Sequence, residues 1–191
     1  MNRLAIVGVA AVLAALASCV SPGSGKDAAQ SATAGPEPHE PHLWLARFVG
    51  EWDWIGRADL GGGQTCENSG TDRFRAIGEY WVVGEGSADD SGVPFRSVLT
   101  LGFDPASQRF VGTWIDSTST YLWRYDGELG PTGSTVTLTA EGPSPTNPKA
   151  RAKFREVIEF KSPDHRVSTG SVLGADGRWT EFLTVEARRR G

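Results

Sequence analysis

Several carboxylate side chains share a strand face with apolar residues, where a charge is costly. Over residues 153–161, Glu156 alternates with Phe154 and Ile158, so the pleat of a strand directs all three to one side. The same parity gives an apolar neighbourhood to further carboxylates: Glu85, Asp116 and Glu181. A buried carboxylate needs a partner. We therefore expect that these groups lie at the mouth of a barrel or bond to Trp and Tyr donors; the functional alternative is that they anchor the polar end of a ligand.

The same alternation indicates whether a positively charged residue lies near Glu156. Parity puts no Lys or Arg on its face, because the nearby arginines fall on the outer set: Arg73, Arg75, Arg124 and Arg155. Desolvation without a cationic partner raises the pKa of a carboxyl group. We therefore predict a raised pKa for Glu156, which could then donate as well as accept a hydrogen bond.

Aromatic residues supply the apolar part of a candidate ligand-binding site. The chain has 7 Trp, a residue type that buries large flat surfaces. The predicted ligand-binding set is Trp54, Glu85, Trp114, Asp116, Trp123, Tyr125 and Glu156. An alternative interpretation makes Asp116 and Glu156 an acid–base pair, as in glycoside hydrolysis. The sequence has no Gly-x-Ser-x-Gly, phosphate-binding or HExxH motif, so we assign no catalytic residue and do not favour an enzyme.

Short strands must position these side chains. Period-2 alternation, interrupted by Gly, Pro, Asp and Ser turns, recurs after Gly50. A helix is indicated over 43–49, ended by Gly50. The predicted strands are 51–59, 71–77, 79–86, 94–103, 109–116, 120–129, 134–140, 153–161, 166–173 and 179–187. Such a series of short antiparallel strands is typical of a closed barrel or a sandwich.

The start of the first strand resembles that of calycin barrels, the lipocalin and fatty-acid-binding group. The segment Phe48-Val49-Gly50-Glu51-Trp52 carries their Gly-x-Trp pattern after a short helix. In that group the Trp closes the barrel base and often stacks on a basic residue of the last strand. The resemblance implies an all-β, closed, antiparallel up-and-down barrel of about ten strands. It also implies closure by Trp52, with Arg188 as the stacking cation.

A wider set of motifs resembles the bacterial domain-of-unknown-function 1579 family. They occur in order over about residues 41–190 and include Val49-Gly50-x-Trp52, Leu101-Gly102-Phe103-Asp104-Pro105, Arg109-Phe110-Val111-Gly112-Thr113-Trp114 and Asp164-His165-Arg166-Val167. The resemblance implies a calycin-like barrel and no established activity. It transfers no catalytic residue to this chain.

The N-terminal segment predicts export and a lipid anchor. An apolar run after a short positive start has the layout of a secretory signal. It ends in Leu16-Ala17-Ser18-Cys19, which resembles the bacterial lipobox. That resemblance implies a signal peptide over 1–18 and acyl chains, palmitate among them, on Cys19. We expect a flexible linker over 19–41, the barrel domain over 42–190, and a place in the bacterial envelope. Val20, in place of Asp, favours the outer membrane of a Gram-negative cell.

Composition limits the partners. The net charge of -4 argues against nucleic-acid binding, which needs a basic face. His39, Glu40 and His42 form an incomplete metal-ligand set, so we expect no metal and no cofactor. Cys66 is either a small buried residue or a reactive thiol. The favoured function is binding of a small apolar or amphipathic ligand at a membrane. The alternatives are a filled barrel that contacts other envelope proteins and, less favoured, a carboxylate-based hydrolase.

Overall fold

The computed structural model describes residues 37–88, 94–145, 147 and 149–191. The predicted signal peptide, Cys19 and the linker up to residue 36 lie outside the described residues. The predicted barrel domain lies almost wholly within them.

Ten strands form one closed antiparallel barrel in which each strand pairs with its neighbours in sequence, and β1 pairs with β10. The predicted closed, up-and-down, ten-stranded barrel is therefore confirmed, and the sandwich alternative is excluded. The strands are β1 Gly50–Gly61, β2 Gln64–Ile77, β3 Trp81–Ala88, β4 Phe95–Asp104, β5 Arg109–Asp116, β6 Trp123–Leu129, β7 Thr135–Pro143, β8 Arg151–Ser162, β9 His165–Leu173 and β10 Trp179–Arg189.

The second strand begins earlier than its sequence pattern predicts. Between Gln64 and Gly70 the chain has no apolar alternation, yet from Thr65 onward it pairs with β1 in continuous register, with Ala58 opposite Cys66 and Trp54 opposite Gly70. Backbone hydrogen bonds to a regular neighbouring strand hold this polar segment in the sheet. The inward positions of this segment carry small or polar residues: Cys66, Asn68 and Gly70.

A short helix covers one end of the barrel. Helix α1 spans Glu40–Leu45 and continues into a 3-10 turn over Ala46–Phe48, so helical structure starts earlier than the predicted 43–49. The backbone N–H of His39 donates to Nδ1 of His42 at 2.9 Å, which caps the helix start. Nε2 of His42 lies 3.0 Å from the Phe103 carbonyl oxygen. These bonds fix α1 across the barrel, and we call this covered end the base.

The core fills the base. The largest side chains that are completely buried there belong to Phe48, Trp52 and Phe110. Ring contacts link them to their neighbours, with Phe48 5.2 Å from Phe160 and Trp44 5.7 Å from Phe110 between ring centroids. Burial of this aromatic surface stabilises the base.

Candidate functional site

Inward-facing residues differ in burial between the two ends of the barrel. Those at the base are buried, whereas Trp54, Trp114, Trp123, Tyr125 and Glu156 are only half-buried although strand register directs them to the interior. We call the end opposite α1 the mouth. The predicted site residues that face inward therefore belong to the wall between the base and the mouth.

Trp52 lies in the floor of this interior. It is completely buried, and its Nε1 donates to the Phe48 carbonyl oxygen at 2.7 Å. The guanidinium of Arg189 lies over its ring, 4.3 Å from the ring centroid. The stacking cation is therefore Arg189 and not Arg188, because Trp52 pairs with Arg189 in the register of β1 and β10. Arg188 points outward, where it is exposed and contacts Glu186 at 3.3 Å.

A buried ion pair stands above the floor. Arg166 donates to Asp72 across the barrel, and its guanidinium lies 5.1 to 5.5 Å from the centroids of the Phe48, Trp52 and Phe74 rings. The expectation of an interior without Lys or Arg is thus wrong. The residues that alternate with Arg166 along β9 are Ser168, Gly170 and Val172, so its inner face carries little apolar signal.

Glu156 lies beside this ion pair. It accepts a hydrogen bond from the Tyr125 hydroxyl at 3.2 Å and another from Ser168. Burial raises the pKa of Glu156, although the bonds from Tyr125 and Ser168 and the charge of Arg166 reduce that shift. Burial also raises the pKa of Asp72, against the lowering effect of Arg166.

The pKa of Tyr125 is raised well above its ordinary value, first by burial and then by the negative charge of Glu156. Its hydroxyl therefore remains a donor at neutral pH. Asp72, Tyr125, Glu156, Arg166 and Ser168 together form what we call the inner polar cluster.

Aromatic side chains surround the mouth. Trp123 makes edge contacts with Tyr121 and Phe154 at centroid distances of 5.0 and 4.9 Å. Trp114 lies opposite Trp123 in the register of β5 and β6, and its Nε1 donates to Asp116 at 3.3 Å. Asp116 also accepts the backbone N–H of Thr118 at 2.8 Å. The mouth therefore combines flat apolar walls with one well-bonded carboxylate.

Two of these rings depend on glycines in neighbouring strands. A Cβ atom at Gly70 would lie 2.7 Å from Cε2 of Trp54, and one at Gly142 would overlap the ring of Trp123. Because no side chain occupies these positions, the two indoles lie close to the barrel wall.

Glu85 lies on the outside of the barrel and cannot contact an interior ligand. It is exposed, and its parity partner Trp81 is 42% exposed. The inner face of β3 is formed instead by Val82, Gly84 and Gly86. The glycines are needed because a Cβ at Gly84 would overlap the Phe74 ring. Glu85 does share a strand face with Trp81, as the alternation predicts, but this face of β3 is the outer one although it carries the larger side chains.

The strand surfaces also form grooves. One, of about 700 Å³, runs along β1, β2, β3 and β10 and includes Asp53, Thr71 and Arg188. A second, of about 350 Å³, includes Cys66 and Phe182 near the mouth. Most lining residues of both have outward parity, but the first groove also includes Trp54 and Gly70, which face inward. Trp54 is hydrogen-bonded to Asp72 and so connects this groove with the inner polar cluster.

Within the described residues, no group of three His, Cys, Asp or Glu side chains is arranged to hold a metal ion. His42 uses both ring nitrogens in the bonds that fix α1. No described helix has the length and apolar character to cross a membrane.

Comparison with known proteins identifies the fold and the family. The model of the family described as "Protein of unknown function (DUF1579)" matches residues 37–189. Rv2717c from M. tuberculosis is similar in structure, with a TM-score of 0.56, 12% identity, and coverage of 81% of this chain and 100% of that chain. The S-type phycobiliprotein lyase CPES from Guillardia theta has a TM-score of 0.49, 18% identity, and coverage of 79% and 93%. No curated protein matches the sequence.

Proposed function

We propose that this chain, which belongs to the DUF1579 family, binds a small amphipathic molecule inside its barrel. The observation that carries the proposal is the partial exposure of Tyr125 and Glu156, which face inward from the middle of the wall. A side chain that points into a closed barrel is accessible only where space exists inside it. Small barrels of this kind can enclose one ligand.

The polar groups support the same function. Nε of Arg166 is buried and has no hydrogen-bond partner among the described residues, although the residue is only 6% exposed. An unsatisfied buried donor costs about 1–3 kcal/mol. An oxygen atom of a bound molecule would remove that cost, while the mouth aromatics cover its apolar part.

We propose further that the barrel acts at a membrane surface, through acyl chains on Cys19. The support is the lipobox-like Leu16-Ala17-Ser18-Cys19 after an apolar run. More than one acyl chain gives stable anchoring. In detergent phase separation of the full chain, we expect the wild type in the detergent phase and Cys19→Ser in the aqueous phase. A Cys19→Ser variant that stays in the detergent phase with an unchanged mass would refute the anchor.

Binding inside the barrel can be tested with N-phenyl-1-naphthylamine, a neutral probe that fluoresces in apolar surroundings. Val172→Trp places a large ring on the inner face of β9, and Thr169→Trp places the same ring on the outer face of that strand. We expect saturable binding by the wild type and Thr169→Trp, and about tenfold weaker binding by Val172→Trp. No saturable binding by the wild type, or equal binding by the two variants, would contradict an interior site.

A further inference from the structure

We propose that the interior site takes a neutral or cationic amphipath, such as a long-chain alcohol or amine, and rejects a carboxylate of the same length. This inference rests on the proposed function, because it specifies the polar end of the molecule that the barrel would bind. It is carried by the charges that face the interior and by the partners that each of them already has.

The interior holds more carboxylates than cations. Above Trp52, the charged residues at inward positions of the described strands are Asp72, Asp116, Glu156 and Arg166. Arg189 lies beyond the floor, where it donates to the carbonyl oxygen of Arg47 and pairs with Asp164. An anionic ligand would therefore add a negative charge to an enclosed space that already has an excess of them.

Arg166, whose guanidinium is the only one above the floor among the described strand residues, is already engaged. Arg166 is bonded to Asp72 and covered by three aromatic rings, so a ligand carboxylate would have to displace Asp72 to form a charged pair with it. Breaking a buried pair in this way is strongly unfavourable. The Nε atom that remains can serve a neutral oxygen acceptor without the transfer of a charge.

Glu156 has capacity left for a ligand donor. Its two known partners are Tyr125 and Ser168, whereas a carboxylate offers about four acceptor sites. The residue is half-buried, and its register directs the side chain to the interior. A hydroxyl or ammonium group could donate there, and an ammonium would also pair with the charge of Glu156.

The mouth favours the same class of molecule. Asp116 lies at an inward position near the mouth and accepts hydrogen bonds from Trp114 and Thr118. Trp faces attract cations through their ring electrons. A cationic head would thus be attracted at the mouth, and a carboxylate would be repelled.

The test uses three probes that share one ten-carbon chain: decanol, decylamine and decanoate. Each is titrated at neutral pH against N-phenyl-1-naphthylamine bound to the barrel, with decanol below its solubility limit and the two ionic probes below their critical micelle concentrations. We expect decanol and decylamine to displace the fluorophore at concentrations about tenfold lower than decanoate. In Glu156→Gln, the affinity for decylamine should fall relative to that for decanol. Glu85→Gln removes an exposed outer carboxylate and should leave the order unchanged.

The outcomes separate the two claims. If the fluorophore does not bind, the proposed function fails. If it binds and decanoate displaces it as well as decanol does, binding stands and the charge preference is refuted. A Glu85→Gln variant that changes the order as much as Glu156→Gln would also refute it, because the effect would then come from net surface charge. Circular dichroism spectra of Glu156→Gln and Glu85→Gln are recorded alongside the titrations to check that both variants are folded.

Discussion

The base and the mouth of this barrel both contain tryptophan, but the tryptophans differ in how far they are buried. Trp52 at the base is completely buried, bonded through Nε1 and stacked on Arg189. Trp123 at the mouth is half-buried and makes its ring contacts with other partly accessible aromatics. Closed packing gives stability, and open aromatic walls give a surface for a ligand. The difference teaches that burial, and not residue type, separates structural from candidate binding tryptophans here.

Replacing one tryptophan at each end should give the largest difference in stability between the base and the mouth. Trp52→Ala removes a fully buried ring and a buried hydrogen bond, so we expect a loss of about 3–5 kcal/mol in the free energy of unfolding. Trp123→Ala should cost clearly less, because its ring is partly accessible already. Chemical denaturation measures both. An equal loss in the two variants would mean that the two ends do not differ in packing.

The ion pair at the boundary between the ends gives the next largest effect. Asp72→Asn leaves the Arg166 charge buried without its partner, and we expect a loss of about 3 kcal/mol. The double variant Asp72→Asn with Arg166→Met removes both charges and should recover part of that loss. A double variant that is no more stable than Asp72→Asn alone would contradict this electrostatic explanation.

Adjacent arginines at the base sharpen the comparison further. Arg189→Ala loses the stacking on Trp52 and bonds to the carbonyl oxygens of Val49 and Arg47, so we expect a loss of about 2 kcal/mol. Arg188→Ala removes an exposed side chain and should change stability by less than about 0.5 kcal/mol. Thermal unfolding of the pair measures the difference. The reverse order would restore Arg188 as the closing residue.

The smallest expected effect concerns pH. Because the pKa of Glu156 is raised on folding, the folded chain keeps its proton to a higher pH than the unfolded chain does. The contribution of this group to stability is therefore fully present below about pH 4.3, the ordinary value, and is lost as pH rises through the raised pKa. Glu156→Gln should make this fall shallower. Asp72, whose pKa is also raised, keeps part of the slope. Unchanged slopes in the two proteins would contradict the burial of this carboxyl group.

Alternation along single strands predicted most of the fold. A strand that presents apolar residues to the inside, as β4 does with Leu99 and Leu101, can be identified from its own sequence. Alternation does not identify the inner face of a strand where the inward residues are small or polar. In β3 the inward residue Gly84 gives no apolar signal, because the Phe74 ring occupies the place of a side chain there. The inward position of Arg166 could not be predicted, because its partner Asp72 is distant in sequence and is brought close only by closure of the barrel.

The most direct test of an accessible polar site inside the barrel is a carboxyl NMR titration of Glu156, with and without decanol. We predict a pKa above the ordinary value of about 4.3 for the free protein, and a change in the Glu156 resonance on addition of decanol that the outer Glu85 does not show. An ordinary pKa together with an unchanged resonance would mean that Glu156 is not an interior ligand anchor.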